Sequence, residues 1–286
     1  MKKLYPKAEL RMMGDADVLI RMEQYEQIVP IMKGLGFEDR TESDHELVWQ
    51  NKGLYLELHK RIIPSYNKDY FRYFGDGWQL AKEQEGHCFR MTAEDEWIYL
   101  FTHFAKHFRD GGIGCRHVLD LWMYRRANPN LDEGYIEREL KILQLEAFYR
   151  NMGRLICFWF EDGPADDVVE LMSQYIFASG SWGQLEERVR SVTIRDSGHS
   201  VLGFSGKLVY LWEKLFPPLW MLKRKYTVLQ KAPWLLPAVW LVRPFYKLLF
   251  ERKSLDRRKK ELEALDQEAL KKHHRLLKTM GIDYGF

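Results

Sequence analysis

Asp15 and Asp17 sit one residue apart in Arg11-Met12-Met13-Gly14-Asp15-Ala16-Asp17-Val18-Leu19-Ile20. The apolar run Val18-Leu19-Ile20 predicts a strand, and side chains at i and i+2 of a strand share a face. Two carboxylates placed in this way bring their oxygens together. Magnesium takes a few such oxygens and completes its shell with substrate phosphates, so the pair points to metal-assisted chemistry on a phosphorylated substrate. A polar turn leading into an ordinary strand has the same composition, so the pair needs support from other residues.

A second segment, Gly53-Leu54-Tyr55-Leu56-Glu57-Leu58-His59, alternates strictly. Leu54, Leu56 and Leu58 fall on one face, and Tyr55, Glu57 and His59 on the other. Glu57 beside the aspartate pair completes a three-acid metal site; a solvated strand face accommodates the same residues. A third cluster lies further on, in Leu100-Phe101-Thr102-His103-Phe104-Ala105-Lys106-His107-Phe108 and Gly111-Gly112-Ile113-Gly114-Cys115-Arg116-His117-Val118-Leu119-Asp120-Leu121. His103 and His107 have the i, i+4 spacing of metal ligands, which with Cys115 and His117 offers a zinc site. Alternatively Lys106, His107 and Arg116 meet nucleotide phosphates. The plain alternative is structural: Arg116 and Asp120 pair at i, i+4 along a helix, and the histidines bridge helices.

Taken in order, Arg-x-x-Gly-Asp-x-Asp-x-Leu-Ile, a helix ending in Gly-Phe, Leu-Glu-Leu-His and the Leu100–Phe108 and Arg116–Leu121 segments resemble the uncharacterised bacterial nucleotidyltransferases of the DNA polymerase beta superfamily. The resemblance spans about the first 125 residues and then loosens. It implies two Mg2+ ions held by Asp15, Asp17 and Glu57, with NTP and a hydroxyl-bearing acceptor as substrates. One ion neutralises the triphosphate and the other activates the hydroxyl for in-line attack on the α-phosphorus. Gly14, Lys106, His107 and Arg116 are then the residues at the nucleotide; His59 follows the motif without a role. Members of the superfamily carry a glycine segment before the DxD strand, where helix amides hold phosphate. This chain opens Met1-Lys2-Lys3-Leu4-Tyr5-Pro6, so the sheet domain is expected to be N-terminally incomplete and to bind NTP weakly.

The elements that position these residues follow from local pattern. A helix is expected over about Glu23 to Leu35 with a stop at Gly36, then strands at Glu46–Gln50 and Leu54–His59 joined by a turn at Asn51-Lys52-Gly53. Residues 64–90 read as aromatic and loop-rich. Thr92-x-x-Asp95 opens a helix along which Trp97, Phe101, Phe104 and Phe108 recur at helical spacing, closed by Gly111-Gly112. Further helices are expected at Arg116–Arg126, at Leu131–Phe160 with a break near Gly153, and at Ala165–Ala178. The last, about Leu255 to Thr279, carries a stripe of Leu262, Leu265, Ala269 and Leu276 and ends at Gly281.

At 286 residues, 46% apolar and 30% charged, the composition is that of a soluble globular protein of one large or two ordinary domains. Cys88, Cys115 and Cys157 are too few and scattered for a disulfide framework, and the N-terminus has no secretory signal; a cytoplasmic setting is expected. The net charge of +3 conceals an uneven distribution. Between Lys207 and Lys260 stand 14 Lys/Arg against Glu213, Glu251 and Asp256, with Trp212, Trp220, Trp234 and Trp240 interleaved. Prolines and charges interrupt the apolar run from Ala232 to Phe250, which argues against a membrane span. An in-plane helix against anionic lipid at the inner membrane face and ordinary packing both fit it, and nucleic acid fits least.

The sequence therefore predicts an α+β protein. A polymerase-beta-like sheet domain (1–85) is followed by a helical domain (86–195) and a basic aromatic region with a charged C-terminal helix (196–286). The expected activity is Mg2+-dependent transfer of a nucleoside monophosphate from NTP to a hydroxyl. The alternative is a non-catalytic relative serving as a binding or membrane-surface module.

Overall fold

The structure, a computed structural model, describes residues 4–11, 14–84, 88–180, 183–197, 212, 215–217, 219–223, 226–250 and 266–284. Strands β1 (Ala16–Leu19), β2 (Glu38–Glu42), β3 (Glu46–Asn51) and β4 (Leu54–His59) form one sheet in the order β1-β4-β3-β2. β1 runs parallel to β4, and the other pairings are antiparallel. The β3–β4 turn has positive φ at both Lys52 (44°) and Gly53 (88°), the backbone that two-residue hairpins favour because it matches strand twist.

Helix α1 (Tyr25–Gly34) ends where expected, with Gly36 N–H donating to Lys33 O and Phe37 N–H to Met32 O. It covers one face of the sheet, where Ile20, Met32, Leu47, Trp49 and Leu58 make a small core. The register that pairs Leu47 with Leu58 also pairs Glu46 with His59 and Val48 with Glu57. The opposite face is thus polar, and it turns toward the helical body, where Leu19 packs on the larger core.

The helical body comprises α2 (Lys68–Phe74), α3 (Ala93–Arg109), α4 (Cys115–Ala127), α5 (Glu133–Ile142), α6 (Glu146–Phe160), α7 (Asp167–Ser179) and α8 (Leu185–Ser197). A two-residue hairpin, β5 (Lys82–Glu83) with β6 (Phe89–Arg90), precedes α3. Thr92 caps α3 by accepting from Asp95 N–H at 3.1 Å. Its apolar stripe, Trp97, Phe101, Phe104 and Phe108, is buried, and Phe148 of α6 meets the last three rings at 5.7, 6.1 and 4.9 Å. Each fully buried ring of this kind contributes about 1.5–3 kcal/mol. After α9 (Leu219–Leu222), α10 (Val228–Lys231) and α11 (Leu236–Phe250), the chain returns in α12 (Gln267–Thr279). Leu270, Leu277, Met280, Ile282 and Tyr284 join the same core.

Several expectations need correction. Residues 64–90 contain α2, whose Tyr70 and Phe74 are buried, as well as the hairpin, so the segment is not simply loop. The break expected near Gly153 lies at Gln144 (φ 57°) instead. There Leu145 N–H donates to Leu140 O and Gln144 N–H to Lys141 O, a left-handed helix stop that leaves Leu143 and Leu145 buried. Gly153 lies within α6 with open space beside it, so nothing there forces a bend. Strand β2, Glu38-Asp39-Arg40-Thr41-Glu42, is exposed throughout and has no alternation to announce it; pairing with β3 creates it. The buried stripe of α12 is Leu270, His273 and Leu277. Of the expected stripe, Ala269 and Leu276 are only half-buried, and Leu262 and Leu265 lie outside the described residues. Gly281 does end this helix, with φ 92°.

Candidate functional site

The parallel register sets Asp17 beside Glu57 and Leu19 beside His59. Because Glu57 and His59 are two apart on β4, all three polar groups emerge on the face turned toward the helical body. His59 Nε2 lies 3.4 Å from Glu57 Oε2 and 3.7 Å from Asp17 Oδ1. The three offer ligand atoms within 4.8 Å of one another. A second such group, His45, Glu46 and His59, adjoins it, and there His45 Nε2 contacts Glu46 Oε2 at 2.9 Å.

Asp15 precedes β1 and is exposed, outside the tight group, although Glu57 and Arg116 are among its electrostatic neighbours. Desolvation raises Asp15 above the usual carboxylate range, and Glu57 adds to the effect. Desolvation also raises Asp17; the His59 charge opposes this, while Asp15 and Glu57 reinforce it. Burial disfavours the charged form of His59, but Glu57, Asp17 and Glu46 together outweigh burial and hold its pKa above the ordinary value. Crowded carboxylates with raised pKa values, beside a histidine, form a donor set that a divalent cation would neutralise. The residues fit such an ion.

Helix α3 supplies the facing wall. Its Phe101–Phe108 stripe faces the core, so Tyr99, His103 and Lys106 fall on another side. Lys106 is buried, and desolvation lowers its pKa to about 8 despite the attraction of Asp110, Glu46, Asp17 and Glu57. Tyr99 stacks on His103 at 5.8 Å, and Asp17 is one of the charges acting on its hydroxyl. Arg116, in the first turn of α4, lies 3.3 Å from His117 Nε2 through its Nη2 and acts electrostatically on Asp15. Gly14 is exposed just ahead of Asp15. The carboxylates thus share an electrostatic neighbourhood with Lys106 and Arg116.

His103 and His107 form no zinc centre with Cys115 and His117. Their Nε2 atoms contact each other at 3.1 Å, Cys115 is exposed, and the four do not converge as a ligand group. The two histidines pair along α3 rather than bridging helices. Nor is Asp120 an i, i+4 partner of Arg116, since its carboxylate accepts from Arg11 Nε at 2.8 Å, Arg11 Nη2 at 2.9 Å and Tyr5 Oη at 2.7 Å. That fork ties the N-terminal segment to α4.

His59 has no role in the sequence motif. The signal was its i+2 spacing from Glu57; what that spacing omits is burial, since His59 is 6% exposed and a surface strand would leave it solvated. A separate trio, Ser191, His273 and Glu187, has the residue types of a hydrolytic triad. His273 Nε2 lies 2.9 Å from Ser191 Oγ and Nδ1 2.5 Å from Glu187 Oε2. The Ser191 hydroxyl is fully buried and donates to Arg109 O, so the trio bonds α12 to α8 instead of presenting a nucleophile.

Fold and site together define a mixed α+β protein whose small sheet presents carboxylates and a histidine to a helical body. Residues 1–161 match the model of an uncharacterised nucleotidyltransferase family, and the chain belongs to that family. No curated protein and no solved structure matches it. The matched span contains Asp15, Asp17, Glu57, His59, Lys106 and Arg116, and ends with α6.

Proposed function

We propose that this protein is a Mg2+-dependent nucleotidyltransferase that moves a nucleoside monophosphate from NTP to a hydroxyl acceptor, releasing pyrophosphate. The observation that carries this reading is the alignment of Asp17 with Glu57 across β1 and β4, inside the segment that defines the family. Asp15, Asp17 and Glu57 would hold two ions, which when bound neutralise the triphosphate and favour attack by the acceptor oxygen on the α-phosphorus. Lys106 offers a desolvated positive charge to phosphate oxygens, worth more at its buried position than in water. Arg116 adds a planar donor suited to phosphate, and Gly14, just ahead of Asp15, and His107, next to Lys106 on α3, are the other residues this reading assigns to the nucleotide. The acceptor hydroxyl gives up its proton as the new P–O bond forms and the bond to pyrophosphate breaks.

The test is calorimetry with a non-hydrolysable NTP analogue and Mg2+. Wild type should bind, and Asp17→Asn should abolish Mg2+-dependent binding; equal binding by both would refute the site.

A second reading concerns the region beyond the family match. No helix among the described residues is long and apolar enough to cross a membrane. Yet Trp234, in a 3-10 turn just ahead of α11, is 76% exposed, and exposed Ala238, Leu241 and Val242 recur at i, i+3 and i+4 on one face of α11. Trp240 turns the other way, donating to Pro217 O at 2.9 Å and meeting the Phe216 ring edge-on, so the tryptophans do not share one face as a membrane helix predicts. The exposed face lies in the stretch where Lys and Arg predominate, which favours peripheral contact with an anionic membrane surface.

A further inference from the structure

His59 has a buried ring nitrogen, Nε2, that faces two carboxylates without a well-formed hydrogen bond. Nε2 finds no hydrogen-bond partner among the described residues, and leaving such an atom unmatched costs about 1–3 kcal/mol. The nitrogen faces the carboxylates of Glu57 at 3.4 Å and Asp17 at 3.7 Å, too far for good hydrogen bonds. Donors held about 2.1 Å from a tetrahedral ion stand about 3.4 Å apart, so the separations suit a shared cation better than mutual bonding. The other ring nitrogen, Nδ1, is turned to Arg61 O at 3.4 Å. It is therefore Nε2 that the fold turns toward the carboxylates, the ring placement of a metal-bound histidine whose other nitrogen faces a backbone carbonyl, and an ion bound at Nε2 would displace the proton that the carboxylates favour there. His45 differs, because both of its ring nitrogens are engaged, by Glu46 at 2.9 Å and Ser43 at 3.2 Å.

We propose that Asp17, Glu57 and His59 form a three-ligand site for a transition-metal ion of the Zn2+ or Co2+ class, its fourth position open to a phosphate oxygen. The ligand set stands on this geometry; only what the ion acts on rests on the proposed nucleotidyl transfer. Imidazole favours such ions, whereas Mg2+ keeps to oxygen ligands. One of the two cation positions therefore discriminates against Mg2+.

The test uses Zn2+ and Co2+ alone on the full chain, without nucleotide. Wild type should bind Zn2+ at least tenfold more tightly than Mg2+, and bound Co2+ should show the intense visible bands of a four-coordinate site. His59→Ala and the volume-conserving His59→Leu, each first checked for a cooperative urea transition, should lose at least tenfold in Zn2+ affinity. His45→Ala should stay within about twofold. X-ray absorption of Zn2+-loaded wild type needs no variant, and it should show an imidazole in the first shell. An all-oxygen shell, wild-type Zn2+ affinity in both His59 variants, or a loss in His45→Ala equal to that in His59→Ala overturns the assignment. Failure of the function reads differently. Zn2+ bound through His59 with no NTP binding under any ion would leave this site standing and remove the transferase, while Mg2+-dependent transfer with an all-oxygen Zn2+ shell would do the reverse.

Discussion

Asp17 and Glu57 occupy matched positions on adjacent parallel strands, though the chain between them runs through α1, β2 and β3. Parallel strands need a long crossover, and here that crossover supplies both the helix that covers the apolar face and the hairpin that carries the second carboxylate. Packing that buries Leu58 and Leu47 on one face obliges Glu57 and Asp17 to emerge together on the other.

That crowding has an expected price in stability. Asp15 and Asp17 have raised pKa values, so the folded state holds protons that the unfolded state has released just above the ordinary aspartate value of 3.8. Stability therefore falls as pH rises through that window. Asp17→Asn should raise the urea midpoint of the metal-free protein at pH 7 and flatten this part of the pH profile. An unchanged or lower midpoint would contradict the electrostatic account.

Lys106 should show function and stability moving in opposite directions. Its pKa of about 8, against the ordinary lysine value of 10.5, means that the unfolded state binds more protons between those values. Wild-type stability should therefore climb with pH across that range relative to Lys106→Met. At pH 7 the methionine variant should be more stable by about 1–3 kcal/mol and yet bind the NTP analogue at least tenfold more weakly. Wild-type affinity should also drop above about pH 8 as the charge is lost. Denaturation and calorimetry across pH 6–10 as a rough range check both arms.

Arg109 is the mechanical counterpart on the same helix. It is fully buried, sits between the rings of Tyr70 and Tyr284 at 4.5 and 4.6 Å, and bonds Asp69 Oδ2, Asn67 Oδ1 and Asp283 O. Removing one partner of a buried pair strands the other, at a cost of about 3–5 kcal/mol. Arg109→Ala should lose that much by urea denaturation, and Arg109→Lys less, because it keeps the charge without the fork. A loss under 1 kcal/mol, about the worth of a surface ion pair, would show that the network is not holding α2, α3 and the C-terminal segment together.

The exposed face of α11 and its approach predicts lipid binding. Sedimentation with vesicles rich in anionic lipid should fall as salt rises, since charge attraction is screened within about 10 Å at 0.1 M. Trp234→Ala combined with Leu241→Ala should weaken it further through lost apolar insertion. Trp240→Ala should act mainly on stability, because its ring packs inward on Phe216. Salt-independent binding, or none, removes the membrane reading.

Much of the scaffold is written in local pattern. The period-two run of β4, the Thr92 cap, the helical recurrence from Trp97 to Phe108 and the stops at Gly36 and Gly281 are each decided by residues within a few positions of one another, so the sequence alone suffices to place them. The candidate carboxylates Asp15, Asp17 and Glu57 were visible for the same reason, as spacing along strands. Tertiary structure decided what depends on neighbours distant in the chain. It made β2 a strand by pairing it with β3, moved the helix break to Gln144 because Leu143 and Leu145 both needed burial, and gave Asp120 to Arg11 and Tyr5 instead of Arg116. Above all it enclosed His59 between the sheet and the helical body with Nε2 unmatched. A residue's burial is set by what packs over it, and spacing along the chain carries no record of that.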